Sequence, residues 1–348
     1  MKHFFYLFLT LVSSQYAYAN MGEPYIHGSS HNALYSSSYC DVIGEKIKIV
    51  IHEQQDADHK LFGVFQIRYN IHAESDQKIP LLFIGKGLSD AKKIVVNQSS
   101  VVPRLLDSQS VKQYAFITRA PEGSYYYAQY NADQKLPVNL DELIYFEAAI
   151  KKGDNQVYIE YEADFGYSVF GFLDNFQINY SLYPSQFWRS FGPIDLELDL
   201  NNLAELSGSN LGRATMQRQT VKWTIHQISQ DINITVNYRT SWFAKVLLWL
   251  QPIGLTIVVL LAIVWWHIHW IIGCKRKGLL FWLGIFIVPL IGFVVFFSAY
   301  SLIDFFLQKQ SKHGYVLLLV IYYPFVVLTY GIALGVFKMT IIDKYKAK

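Results

Sequence analysis

The chain has 348 residues, and 30 Lys and Arg against 27 Asp and Glu leave a net charge of +3, too small to argue for a nucleic-acid partner. Its two cysteines, Cys40 and Cys274, exclude a disulfide framework within one chain, because the topology derived below puts them on opposite sides of a membrane. Apolar residues are spread unevenly: residues 20–243 are polar with frequent aromatics, whereas 246–337 carry almost no charge, so length and composition agree on two regions.

Residues 1–19 read as a secretory signal peptide. Lys2 and His3 precede the short apolar stretch "FFYLFLTLV" (4–12), and Ala17 and Ala19 give the small-x-small pattern that signal peptidase cleaves. The expected mature chain starts at Asn20; the alternative, an uncleaved anchor, needs roughly 17 or more apolar residues. Next comes "YIHGSSHN" (25–32), with His27 and His31, and Cys40 beyond it. Chelation by that His pair would need a helix, and "GSS" argues for a loop. A Cys40 nucleophile would need a base and an orienting group, and neither is identifiable. No metal or cofactor is expected.

From residue 44 to 240 the pattern is that of short alternating strands separated by turn residues. "EKIKIVIHE" (45–53) sets Ile47, Ile49 and Ile51 on one face, and "LFGVFQIRYNIH" (61–72) follows a polar turn. Further strands are expected at 79–85, 92–97, 112–118, 124–130, 142–150, 156–164, 176–184, 193–200, 219–227 and 232–240. Strands at this spacing with no amphipathic helix predict a mainly β exported region, a β-sandwich of one or two units with an internal boundary near 119–140.

Three features of this region carry candidate chemistry. "SYYYAQY" (124–130) puts Tyr125 and Tyr127 on one face, suited to stacking on sugars or peptides and equally to filling a sheet. "IDLELDL" (194–200) lines up Asp195, Glu197 and Asp199 about 7 Å apart on one strand face. Such carboxylates could contribute to a Ca²⁺ site if a loop added oxygens, or simply face solvent. Finally, "ELIYFEAAIKKGDNQVYIEYEAD", "YSLYPSQFW", "FGPIDLELDL" and "VKWTIHQISQDINITVNY" together resemble, over residues 142–240, a β-rich module of exported bacterial membrane proteins without assigned activity. The matching positions are Tyr180, Leu182, Trp188, Gly192, Pro193, Ile194, Trp223 and Asp231. The resemblance implies a fold and a compartment, and no catalytic residue. Trp188 joins the tyrosines and carboxylates as a candidate partner contact.

Three segments are long and apolar enough to span a bilayer, 246–272, 279–303 and 315–337, each above the ~20 residues that hydrocarbon requires. An exported amino-terminal region and the basic loop bearing Lys275, Arg276 and Lys277 both place that loop and the tail 338–348 in the cytoplasm. The chain therefore reads as a multi-pass protein of a bacterial plasma (inner) membrane. Trp249, Trp265, Trp266 and Trp270 are expected at the two interfaces, and Gly331 and Gly335 form a small-xxx-small packing face. His267 and His269 stand about 200° apart around a helix, so they cannot share one metal.

Within the spans no Asp, Glu, Lys or Arg lies deep, which counts against transport. Phosphate loops, zinc-protease motifs and nucleophile elbows are missing too. The expectation is a non-enzymatic envelope protein whose exported sandwich binds protein or glycan partners or serves as a scaffold. The alternatives are a glycan hydrolase using Asp164, Asp195, Glu197 or Asp199, and a sensor acting through a membrane partner.

Overall fold

The computed structural model describes residues 31–339 apart from 37–39, 55–59, 86–87, 115, 122, 124, 130–134, 141–142, 169–170, 183–184, 186–187, 227–229, 274–276 and 309–313. The expected signal peptide (1–19), His27, Cys274, Lys275, Arg276 and residues 340–348 lie outside the described residues. Two compact units divide the chain: residues 1–170 with 174–238, and residues 171–173 with 239–348.

The first unit is built of strands. It begins with β1 (His31–Ser36), β2 (Asp41–Glu53), β3 (Leu61–Ala73), β4 (Gln77–Gly85), β5 (Leu88–Val96), β6 (Ser99–Ser100) and β7 (Arg104–Leu105). A small group follows, β8 (Ile117–Arg119), β9 (Tyr126–Gln129) and β10 (Lys135–Val138). The chain continues through β11 (Leu143–Ile150), β12 (Gly153–Asp164), β13 (Gly166–Ser168), β14 (Asn175–Tyr180), β15 (Ser190–Phe191) and β16 (Ile194–Asp199). It closes with β17 (Ala204–Ser209), β18 (Thr215–Gln217), β19 (Thr220–Ile225) and β20 (Ile232–Tyr238).

These strands form an eight-stranded sheet, ordered β17-β20-β14-β1-β4-β11-β7 with β13 on β14. A nine-stranded sheet is ordered β18-β19-β16-β2-β3-β12-β5-β6 with β15 on β2. Their inner faces share one apolar core, as the alternation of β2, β3, β12 and β16 requires. Phe65 and Tyr161 of the larger sheet stack at 4.9 Å, and Phe83 of the smaller sheet meets Tyr161 at 4.9 Å, stitching the layers together. Burying a side chain of this size contributes about 1.5–3 kcal/mol.

Strands β8, β9 and β10 form a three-stranded sheet, ordered β10-β9-β8. A second core of Leu106, Val111, Tyr126, Ala128 and Val138 packs there with Leu82 and Leu143, which come from β4 and β11 of the eight-stranded sheet. Leu81 and Phe83 belong to the main core and Leu82 to the second. Apolar partners on both faces explain why "LLF" is a continuous apolar run and not an alternating one. Strand β1 pairs with β4 and, in parallel, with β14; the sequence reading places His31 in a loop here. Residues 112–113, the start of the strand expected over 112–118, instead belong to a 3-10 turn, Ser110–Gln113.

Where β15 meets β2, the register of β2 against β3 slips between Val42 and Gly44. Gly192 N donates to Val42 O at 2.7 Å, and a Cβ on Gly192 would stand 1.9 Å from Ile43 O. Only glycine fits so close to a backbone. Pro193 O then accepts from Glu45 N at 3.0 Å and Ile194 enters the core, so the three residues "GPI" each have a distinct packing duty.

The second unit holds three helices long and apolar enough to cross a membrane. They are α1 (Trp242–Gly273), α2 (Lys277–Leu307) and a third span, Leu318–Phe337, whose second part is α3 (Tyr323–Phe337). Helix α1 is broken at Gln251, whose φ of 54° and ψ of 173° precede Pro252. The third span differs from the expected continuous α-helix: Gly314–Tyr322 winds as a 3-10 helix and α3 takes over at Tyr323. Ile271, Ile285 and Leu334, one from each helix, make a shared contact. Beside it, His267 Nε2 donates to Leu280 O (3.1 Å), so Nδ1 accepts from the Tyr330 hydroxyl at 2.7 Å.

Candidate functional site

The outer face of the nine-stranded sheet carries a cleft of ≈ 390 Å³. It is built from the alternate residues that the apolar core leaves pointing outward on five consecutive strands. Register places them in two cross-strand rows. The first runs Tyr158, Arg68, Lys46, Asp195, Thr224, and the second Glu160, Gln66, Lys48, Glu197, Lys222. Adjacent strands lie about 4.8 Å apart and residues i and i+2 about 7 Å apart, so the two rows form one polar lattice.

Hydrogen bonds tie the rims. Lys222 Nζ lies 3.0 Å from Glu197 Oε2, and Thr224 Oγ1 donates to Asp195 Oδ1 at 2.9 Å. On the far side the Tyr158 hydroxyl donates to Glu160 Oε2 at 2.5 Å, and Gln66 Nε2 donates to the same oxygen at 3.0 Å. Burial, with the Glu160 bond behind it, pushes the Tyr158 phenol up to about 12. Arg68 lies over the Tyr158 ring, 5.9 Å from its centre, a cation–π contact.

Of the residues singled out in the sequence, Asp195 and Glu197 line this cleft. Asp199 lies at the next outward position of β16, where its carboxylate accepts from Asn201 N. Each of the three carboxylates thus has a different donor. Among the described residues no group of three or more His, Cys, Asp or Glu is placed to hold a metal. Tyr125, just before β9, and Tyr127 within it meet edge-on, their hydroxyls 3.0 Å apart, and do not join the cleft. Trp188, named with them, is 5% exposed and packs into the main core, where its indole N–H finds no acceptor among the described residues. In the helical unit, Trp249, Trp265, Trp266 and Trp270 all point outward. A Cβ on Gly331 would stand 3.3 Å from Ile285, whereas Gly335 has open space before it. Lys277 opens α2.

A second polar cluster lies inside the sandwich. Glu45 is 2% exposed; its Oε1 accepts from Tyr180 at 2.5 Å, and the Tyr180 oxygen lies 2.6 Å from the Tyr69 hydroxyl. Desolvation raises the Glu45 carboxyl from 4.5 to about 7, opposed by the tyrosine hydrogen bonds. Both phenols are also driven upward, first by burial and then by the Glu45 charge. A cavity of ≈ 10 Å³, about one water in size, adjoins them, lined also by Ser181, Leu182, Ser185 and Phe191. Asp231 braces this wall by accepting from Leu182 N (2.7 Å) and Ser181 Oγ (3.2 Å). Nearby, Arg189 binds both Asp41 and Glu74, and its hydrogen bonds hold the Asp41 carboxyl well below the usual range. Tyr180, Leu182, Trp188, Gly192, Pro193 and Asp231, which carry the resemblance noted in the sequence, are therefore framework around a buried acid.

No family model matches the chain, and no curated protein matches it. Among solved structures, a provisionally assigned nutrient-binding protein from Legionella pneumophila aligns over 60% of this chain and 70% of its own. The identity is 11% and the TM-score 0.43. An M1 zinc metallopeptidase from Deinococcus radiodurans aligns over 58% of this chain and 43% of its own, with 9% identity and a TM-score of 0.28; the chain spans less than half of that enzyme.

Proposed function

We propose that the protein is a membrane-anchored envelope protein whose exported β-sandwich binds a protein or glycan partner on the outer face of its nine-stranded sheet. The observation that carries this reading is the polar cleft across β12, β3, β2, β16 and β19, which gathers nine outward side chains on a rigid support. In this reading Asp195, Glu197 and Asp199 contact the partner, and Tyr125 and Tyr127 offer a separate aromatic patch. The three helices hold the sandwich at a bacterial inner membrane. The amino-terminal region is exported behind a cleaved signal peptide, the Lys275–Lys277 loop and the tail are cytoplasmic, and the tryptophans of α1 sit at the interfaces.

The test is photo-crosslinking in native membranes. A photoreactive residue in place of Thr224 should give a discrete adduct that a Tyr158→Ala/Lys48→Glu background abolishes. The same residue in place of Val102, exposed in a loop, should give none. Equal adducts from both positions, or none from Thr224, would overturn the reading.

A further inference from the structure

The charges of the cleft are unequally engaged. Each of its acids is already held, Glu197 by Lys222 and Asp195 by Thr224, and Glu160 beside the cleft is held by Tyr158 and Gln66. Lys46, Lys48 and Arg68 make no ion pair among the described residues. Lys46 and Arg68 are directly opposed on β2 and β3, and Lys48 follows about 7 Å along the strand. The floor of the cleft is therefore a compact patch of three cations with satisfied acids at its edges.

The backbone there has nothing to offer. Strands β2, β3 and β16 are each paired on both sides, so a peptide cannot be added as an extra strand. Recognition must come from side-chain tips. Arg68, stacked on Tyr158, presents a preorganised fork of donors matched to a carboxylate or phosphate. Lys46 and Lys48 add point charges, while Gln66 and Thr224 supply amide and hydroxyl groups. Anionic groups spaced along a hydroxyl-rich chain satisfy all of these together, and ≈ 390 Å³ lies within the usual range for small-ligand sites.

Resting on the reading of this cleft as the partner surface, we propose that it binds an acidic glycan, with the saccharide's carboxylates or phosphates over Lys46, Lys48 and Arg68. The negative rim of Asp195 and Glu197 keeps the ligand's anions over β2 and β3, which sets its position across the sheet. Because the site is open to solvent, binding is sensitive to salt.

Titration of the full chain in detergent micelles at low salt tests this. The probes are a uronic-acid oligosaccharide, a phosphorylated oligomannoside, neutral oligomannose and poly-glutamate. Binding by the uronate or the phosphosaccharide, with neutral oligomannose and poly-glutamate about tenfold weaker or more, is the expected result; which of the two binds identifies the source of the charge. Lys46→Gln/Lys48→Gln should weaken that binding by about five- to tenfold, with Lys112→Gln, exposed on the 3-10 turn 110–113, as an unchanged control. Poly-glutamate binding equally well and with the same lysine dependence would overturn the glycan assignment. So would equal binding of neutral oligomannose, indifference to the lysine changes, or no probe binding at all. In each of those cases the cleft survives as a partner surface if the Thr224 crosslink still forms, and falls with the wider reading if it does not.

Discussion

Glu45 makes the stability of the sandwich depend on pH in an unusual direction. Its carboxyl rises from 4.5 to about 7 on folding, so the native state holds the proton more tightly than the unfolded chain. The stabilisation is therefore complete below about pH 4.5 and is lost as pH rises through about 7. At 1.36 kcal/mol for each tenfold change in proton affinity, the loss is about 3 kcal/mol. Glu45→Gln retains an oxygen for Tyr180 and removes the titration. Hydrogen exchange of β2 and β14 amides in the full chain in detergent reports the sandwich separately from the helices. The wild type should lose about 3 kcal/mol of protection relative to Glu45→Gln between pH 4.5 and 8. Parallel pH profiles for the two proteins would refute the reasoning.

The other structural consequences are sharper in position. Gly192→Ala forces a Cβ to within 1.9 Å of Ile43 O; backbone cannot yield as a side chain does, so the cost should be about 3 kcal/mol or more, read as faster exchange in β2. In the helical unit, Gly284→Ala would put a Cβ 1.9 Å from the His267 ring and break its bonds to Tyr330 and Leu280. This variant and His267→Ala should each lose about 1–2 kcal/mol of helix packing, seen as a lower melting temperature in detergent and non-additive in the double variant. At Gln251, φ is 54°, so Gln251→Gly should relieve strain and raise helical-unit stability by about 1 kcal/mol; an unchanged or lowered melting temperature would show that the break is not strained.

Much of this architecture can be read from alternation alone. In "EKIKIVIHE" the parity that buries Ile47, Ile49 and Ile51 also turns Lys46 and Lys48 outward, and it places Glu45 on the apolar side. A buried acid was thus legible, but its partners were not. Tyr69 and Tyr180 are 111 residues apart, on different sheets. The same limit hides the cleft: Asp195 and Glu197 were visible as an outward row, whereas the parallel pairing of β16 with β2 that sets Lys46 and Lys48 beside them has no local signature. Strand β1 was missed because its stability comes from β4 and β14 rather than from its own short sequence. The polar edge strand "AELSGS" (204–209) lacks the β-branched alternation that marks a strand. At 314–322 a uniformly apolar run cannot distinguish a repeat of 3.0 from one of 3.6 residues, so the 3-10 winding is invisible there.

The central claim is that the outer face of the nine-stranded sheet is occupied where the protein works. Lysine acylation rates compared between native membranes and the purified full chain measure that occupancy residue by residue. Lys46, Lys48 and Lys222 should react several-fold more slowly in native membranes, with Lys112, exposed outside that sheet, unchanged between the two. Equal rates for all four lysines in both preparations would contradict the account.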